Sequence, residues 1–162
     1  MKNIVLIGFM GSGKTTIGAH LAKYTGSYLI DTDMLIATQN SQSIKSIFEN
    51  YGEEYFRKLE AHFIEWAQKS IQNAIIATGG GMPIYNQVKN MGKVFYLKID
   101  FEAIQKRLTQ AELASRPLFS NVQKTYELYK CRQDLYAQSA DIVIEANQPI
   151  DKIVLEILKH TL

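Results

Sequence analysis

The sequence predicts an α/β protein organised around a parallel sheet. Two observations carry this. Short apolar runs bounded by turn residues alternate with longer amphipathic stretches along the chain, which is the order of βαβ units rather than of segregated strands and helices. The first run, Ile4 to Ile7, is apolar at every position, as a strand covered on both faces requires. With 162 residues and 46% hydrophobic content, the chain fits one domain over 1–162 with material for a core.

Each element follows in turn. After the first strand, Lys14 to Tyr24 reads as a helix with Ile17, Leu21 and Tyr24 on one face, and Gly26 ends it. Tyr28-Leu29-Ile30 is a second strand leading into Asp31-Thr32-Asp33. Met34 to Phe48 reads as one or two short helices with Ser43 as a cap, and a long helix runs from Glu53 to Ser70 with the stripe Phe56, Leu59, Phe63, Trp66. Ala74 to Thr78 is a third strand stopped by Gly79-Gly80-Gly81, and Lys93 to Ile99 a fourth. Asp100 caps a helix from Phe101 to Thr109; Ala111 to Asn121 has weak periodicity and is expected to be a mobile surface loop. A helix over Val122 to Ala137, a fifth strand over Asp141 to Glu145 and a final helix with Ile150, Ile153, Val154, Ile157 and Leu158 on one face complete the chain.

Composition excludes several classes. The formal net charge is +2 and no dense Lys/Arg run occurs, so neither nucleic acid nor a membrane surface is an expected partner. No stretch approaches the ~18 apolar residues of a membrane span. The apolar run after Met1-Lys2-Asn3 is too short for a signal peptide and lacks a small-residue cleavage site. The single cysteine, Cys131, suits a reducing cytoplasm and is expected as a buried helix thiol. His20, His62 and His160 form no spaced metal cluster.

Gly8-Phe9-Met10-Gly11-Ser12-Gly13-Lys14-Thr15 matches GxxxxGK[ST] in full, between a strand and a helix. The chemistry explains the residue types. Glycines let consecutive backbone N–H groups wrap a phosphate, and the helix that follows aims its positive end at the anion. The Lys14 ammonium reaches the β/γ oxygens, and the Thr15 hydroxyl is placed to ligate Mg²⁺. Gly11, Ser12, Gly13, Lys14, Thr15 and Thr16 are therefore the candidate ATP contacts.

Asp31 and Asp33 stand two apart at a strand end, on the edge of the sheet where ligands bind in open α/β folds. If both are extended, their side chains point the same way. One carboxylate would hold a Mg²⁺-bound water; the other would orient or deprotonate an acceptor hydroxyl. The competing reading is that Asp33 simply caps the following helix.

The ordered set Gly8-x-Met-Gly-Ser-Gly-Lys-Thr, Asp31-Thr-Asp33, Phe56-Arg57-x-x-Glu60, Thr78-Gly79-Gly80-Gly81, Arg116-Pro117-Leu118 and Arg132 before Tyr136 resembles the shikimate kinase pattern over nearly the whole chain. The resemblance implies a three-layer α/β/α P-loop fold with a five-stranded parallel sheet in the order 2-3-1-4-5, a mobile lid at about 111–122 and shikimate-binding helices at about 33–70. It implies transfer of the ATP γ-phosphoryl to the 3-hydroxyl of shikimate by a cytoplasmic monomer with one Mg²⁺ per ATP. By the same resemblance Thr15 binds Mg²⁺ and Asp31 assists through water, and Asp33 meets the shikimate hydroxyls as orienter or base. Arg57 and Arg132 hold the carboxylate while Gly79, Gly80 and Gly81 line the site. Arg116 approaches the phosphates from the lid, Arg107 stacks on or flanks adenine, and Gln148 falls in the adenine-contacting loop. Lys14, Asp33 and Arg116 form the catalytic set.

The residues support parts of this independently. Arginine offers a planar bidentate match to a carboxylate, and Glu60, three residues after Arg57, is placed to hold it in one rotamer; an ordinary surface ion pair is the alternative. Phe119 stands where a smaller aliphatic residue is usual in the pattern. Two rival functions remain: another small-molecule P-loop kinase, gluconate kinase-like, and a sensor that binds shikimate without turnover.

Overall fold

The computed structural model describes residues 2–108 and 120–161. Strands β1 (Ile4–Ile7), β2 (Leu29–Asp31), β3 (Ile75–Ala77), β4 (Lys93–Lys98) and β5 (Ile142–Glu145) form one parallel sheet in the expected order, β2-β3-β1-β4-β5. Helices α1 (Lys14–Thr25), α2 (Thr32–Gln39), α3 (Ile44–Ser70), α4 (Met82–Tyr85), α5 (Phe101–Arg107), α6 (Val122–Ser139) and α7 (Ile150–Lys159) accompany it, with a 3₁₀ turn at Val88–Met91.

Strand β1 takes the centre because it has no polar side chain to keep wet: Ile4, Val5, Leu6 and Ile7 are all fully buried. Helix α1 packs on β1, β2 and β3 and against α7, which lies on β5; α6 lies on β4 and α4. The register matters for function. Ala77 of β3 is level with Leu6 of β1 and with Asp31 of β2. Three strand ends distant in sequence thus finish side by side: the phosphate loop after Ile7, Asp31, and the Thr78–Gly81 turn.

Local stop signals act as the residue types dictate. Gly26 closes α1 in the left-handed region at φ 64, its N–H bonding to Ala22 O. Ser43 Oγ accepts from Ser46 N at 3.0 Å and opens α3. Within α3 the backbone breaks at Gly52 (φ 81, ψ 171), so the second helical segment starts at Glu53, as predicted. Ile36, Ile47 and Phe56, with Ile44, Phe48 and Leu59 around them, form a small core separate from the main one.

Several expectations are corrected. The buried line on the long helix is Phe56, Glu60, Phe63, Ile64 and Ala67, so Trp66 is left 45% exposed at its edge. Tyr24 is likewise exposed, since α1 buries Ile17, Gly18, Leu21 and Ala22. Cys131 is exposed because α6 turns Thr125 and Tyr136 inward. Ile150 sits at the exposed start of α7. Asp100 occupies the N-cap position of α5, but its carboxylate accepts from Asn147 Nδ2 (2.9 Å) instead of from a helix N–H. Helix α4 and the 3₁₀ turn were not predicted; four residues are too few for periodicity to register.

Candidate active site

The loop from Gly8 to Thr15 lies between β1 and α1. Gly11 (φ 79) and Gly13 (φ 90) adopt left-handed backbone that a side chain disfavours. No side chain caps α1, so its first N–H groups face the loop's concavity, the arrangement that receives a phosphate. The Lys14 ammonium lies over the same loop, donating to Gly8 O (2.8 Å) and Phe9 O (3.0 Å). Ser12 is buried beneath it, while Thr15 and Thr16 are exposed on the first turn of α1.

The Thr15 hydroxyl donates to Asp31 Oδ2 at 3.0 Å. A hydroxyl oxygen beside a carboxylate oxygen is the hard donor pair Mg²⁺ takes from protein when phosphates and water fill the rest of its octahedron. The other oxygen, Asp31 Oδ1, accepts from Met34 N (3.1 Å) and caps α2. The cap is therefore Asp31, not Asp33.

Asp33 lies in the first turn of α2, so the two carboxylates do not share an extended strand. Asp33 is turned instead toward the end of β3. A Cβ on Gly79 would come within 2.5 Å of Asp33 Oδ1, so only glycine leaves room there. Gly79 N donates to Thr32 Oγ1 (3.0 Å), tying the β3 turn to the start of α2. Oδ1 of Asp33 is buried without a hydrogen-bond partner. Burial pushes the Asp33 carboxyl above its ordinary range and Asp31 adds to this; Lys14 and Arg57 pull the other way.

Arg57 reaches the same place from α3. Its Nε and Nη2 donate to Glu53 Oε1 (3.3 and 3.0 Å), and Nη1 donates to Glu60 Oε2 (2.8 Å). These bonds use three of the five guanidinium N–H groups and leave one on each terminal nitrogen. The group rests against Gly81, where a Cβ would lie 2.7 Å from Nη1. Glu60, read from the sequence as the residue that fixes Arg57, is wholly buried. Burial pushes its carboxyl up to about 7 against the pull of Arg57, with Asp33 and Glu53 raising it further.

Arg132 arrives from α6 through Tyr136. The Tyr136 hydroxyl donates to Gly80 O at 2.7 Å. Burial pushes this hydroxyl up to about 12, opposed by the nearby charges of Arg132 and Arg57. At the carboxyl ends of β2 and β3, Asp33 thus borders Gly79 and Arg57 borders Gly81, Lys14 acts on Asp33 from the phosphate loop, and Arg132 reaches Gly80 through Tyr136.

On the nucleotide side, Arg107 Nη2 donates to Ala146 O at 2.8 Å, and Nη1 lies 3.9 Å from where a Cβ on Gly13 would sit. Arg107 therefore bridges the phosphate loop and the turn after β5. Gln148 lies in that turn, its amide donating to Glu145 O (2.7 Å) and Glu156 Oε2 (3.0 Å). Arg116 and most of the expected lid lie outside the described residues.

A family model described as Shikimate kinase matches residues 10–161. The chain belongs to the shikimate kinase family. A shikimate kinase of Helicobacter hepaticus is 47% identical over 159 residues, covering 98% of this chain and 95% of the relative. The structure of a shikimate kinase from Acinetobacter baumannii in complex with shikimate is 34% identical, with a TM-score of 0.85 over 99% of this chain and 93% of that one. A gluconokinase from Sinorhizobium meliloti 1021 shares only the fold, at 18% identity and a TM-score of 0.65 over 98% of this chain and 90% of that one.

The shikimate kinase pattern read along the sequence ran from Gly81 to Arg116 without a stop, and two residues at the site fall in that gap. Tyr85 lies under the Arg57 guanidinium, its ring centre 4.3 Å from Cζ. Asn86 donates to Glu60 Oε2 at 3.3 Å. Pro83 early in a short turn was the available signal, but it announces a helix start and not a contact. Tyr136 stands in the pattern, but only the fold shows its bond to Gly80 O.

Proposed function

We propose that this shikimate kinase family member transfers the γ-phosphoryl of ATP to the 3-hydroxyl of shikimate, with the acceptor held between Asp33 and two guanidinium groups. The observation that carries the reading is the meeting of groups at the strand ends: the Asp33 carboxylate, buried against the Gly79 turn, feels the charge of both the Arg57 fork and the Lys14 ammonium.

In this reading the N–H groups and Lys14 of the loop Gly11–Thr16 hold the β- and γ-phosphates. Thr15 and Asp31 hold Mg²⁺, which supplies charge neutralisation on the phosphate oxygens. The remaining N–H on each Arg57 terminal nitrogen grips the shikimate carboxylate with Arg132, and Gly79 to Gly81 let the ring lie against backbone. Asp33 accepts a hydrogen bond from the 3-hydroxyl, either aligning it or taking its proton; a raised carboxyl pKa suits the second role. The hydroxyl oxygen attacks the γ-phosphorus as the bond to the β–γ bridging oxygen breaks, and ADP leaves. Lys14, with Arg116 from the lid at 111–122, offsets the charge on the transferring group. Arg107 and Gln148 border the adenine. Catalysis rests on positioning and charge rather than on a covalent intermediate.

We assign the active species as a cytoplasmic monomer that acts on neither nucleic acid nor membrane. The lone cysteine suits a reducing compartment, and a net charge of +2 without a dense Lys/Arg run offers no patch for nucleic acid or an anionic membrane surface.

A coupled ADP-release assay with shikimate and with gluconate tests the reading. Turnover with shikimate alone is expected. Turnover with gluconate alone would favour the sugar-acid kinase, and binding of shikimate without ADP release would favour a sensor.

A further inference from the structure

Arg57 is held on three sides by anions and backbone, but its plane is set elsewhere. The ring of Tyr85 lies 4.3 Å from Cζ, closer than Phe56 (5.3 Å) or Phe48 (5.9 Å). Tyr85 and Gly81 are four apart at the two ends of α4 and so share one face of that turn. The guanidinium lies along this face, at one end in the space a Cβ on Gly81 would need and at the other over the Tyr85 ring. The next residue, Asn86, donates to the Glu60 oxygen that also receives Arg57 Nη1. One short turn therefore touches both members of the Arg57–Glu60 pair.

Tyr85 has no evident core duty. It is 54% exposed, at the rim and not in the packed interior. An aromatic face presented to a cation that is already desolvated on its other sides attracts it and fixes its tilt. That tilt decides where the two unengaged N–H groups of Arg57 point, and a bidentate carboxylate contact tolerates little misalignment.

We propose that Tyr85 is a positioning residue for the acceptor: its ring sets the plane of the Arg57 guanidinium, with Asn86 steadying Glu60, and so governs how tightly a carboxylate-bearing substrate is held. The proposal rests on the reading above, in which Arg57 grips the acceptor carboxylate.

The test compares wild type, Tyr85→Phe and Tyr85→Leu in steady-state assays with shikimate, with shikimate methyl ester and with varied ATP. Tyr85→Phe keeps the ring face and is expected to match wild type. Tyr85→Leu is expected to raise KM for shikimate about tenfold while kcat, KM for ATP and the melting temperature stay near wild type. With the uncharged ester the two variants should be indistinguishable. An unchanged KM in Tyr85→Leu, or equal effects on acid and ester, overturns the proposal. Failure of wild type to phosphorylate shikimate would instead overturn the functional reading, so the two failures are separable.

Discussion

Arg57 and Arg132 act on one atom. The charges of Arg132 and Arg57 both reach the Tyr136 hydroxyl, and that hydroxyl donates to Gly80 O at 2.7 Å. Two cations from α3 and α6 are thereby brought to one wall of the site, with the Gly79–Gly81 turn between them. Tyr136 is wholly buried, so its polar end has no water to fall back on.

Replacing Tyr136 by Phe removes that hinge while keeping the packing. The lost bond leaves the Gly80 carbonyl without its partner, an effect of about 1–3 kcal/mol. We expect KM for shikimate to rise about tenfold or more and KM for ATP to stay put. Steady-state kinetics with each substrate varied in turn checks this.

Asp31 carries two duties on two oxygens, and substitution separates them. Asp31→Asn retains an acceptor for Met34 N and so keeps the α2 cap, whereas Asp31→Ala loses a cap worth about 1 kcal/mol. Both lose the anionic oxygen beside Thr15. Both variants should need far more Mg²⁺ for half-maximal activity, but only the alanine variant should melt earlier. A magnesium titration alongside thermal unfolding measures the two effects.

Glu60 makes stability depend on pH. Its carboxyl is raised from 4.5 to about 7 by burial in the fold. Between those values the folded state holds a proton that the unfolded chain has released, so stability falls as pH rises through the window, by about 3 kcal/mol from this group. Below the window both states are protonated, and above it both are ionised, so the contribution levels off. Glu60→Gln keeps an acceptor for Arg57 and Asn86 but has no proton to lose. Urea midpoints at pH 5 and pH 8 should differ less in the variant than in wild type.

The sheet order, the phosphate loop and the break before Glu53 were legible because each rests on local chemistry: an all-apolar strand, glycine at left-handed positions, a glycine between two periodic stretches. The candidate site residues with charged tips stand out in the sequence for a related reason, since Asp33, Arg57 and Arg132 have chemistry that core packing does not require. The burial of Glu60 was hidden, because a helical stripe is read from apolar residues and a paired acid takes a stripe position only when its cation comes with it. Tyr85 was hidden because an aromatic side chain gives the same sequence signal in a core, on a surface or under a guanidinium. Asp31 and Asp33 were misplaced relative to each other because the strand ends one residue earlier than an extended pair needs. Cys131 and Trp66 show the matching error: apolar type on a helix does not say which side of the stripe it falls on.

The claim on which the account turns is that a substrate carboxylate is received by Arg57 and Arg132. Isothermal titration of wild type with shikimate and with its methyl ester measures this directly, since the ester keeps the ring and hydroxyls and loses only the charge. Charge-assisted bidentate contacts predict that the ester binds about a hundredfold more weakly. Equal affinity for acid and ester would contradict the account.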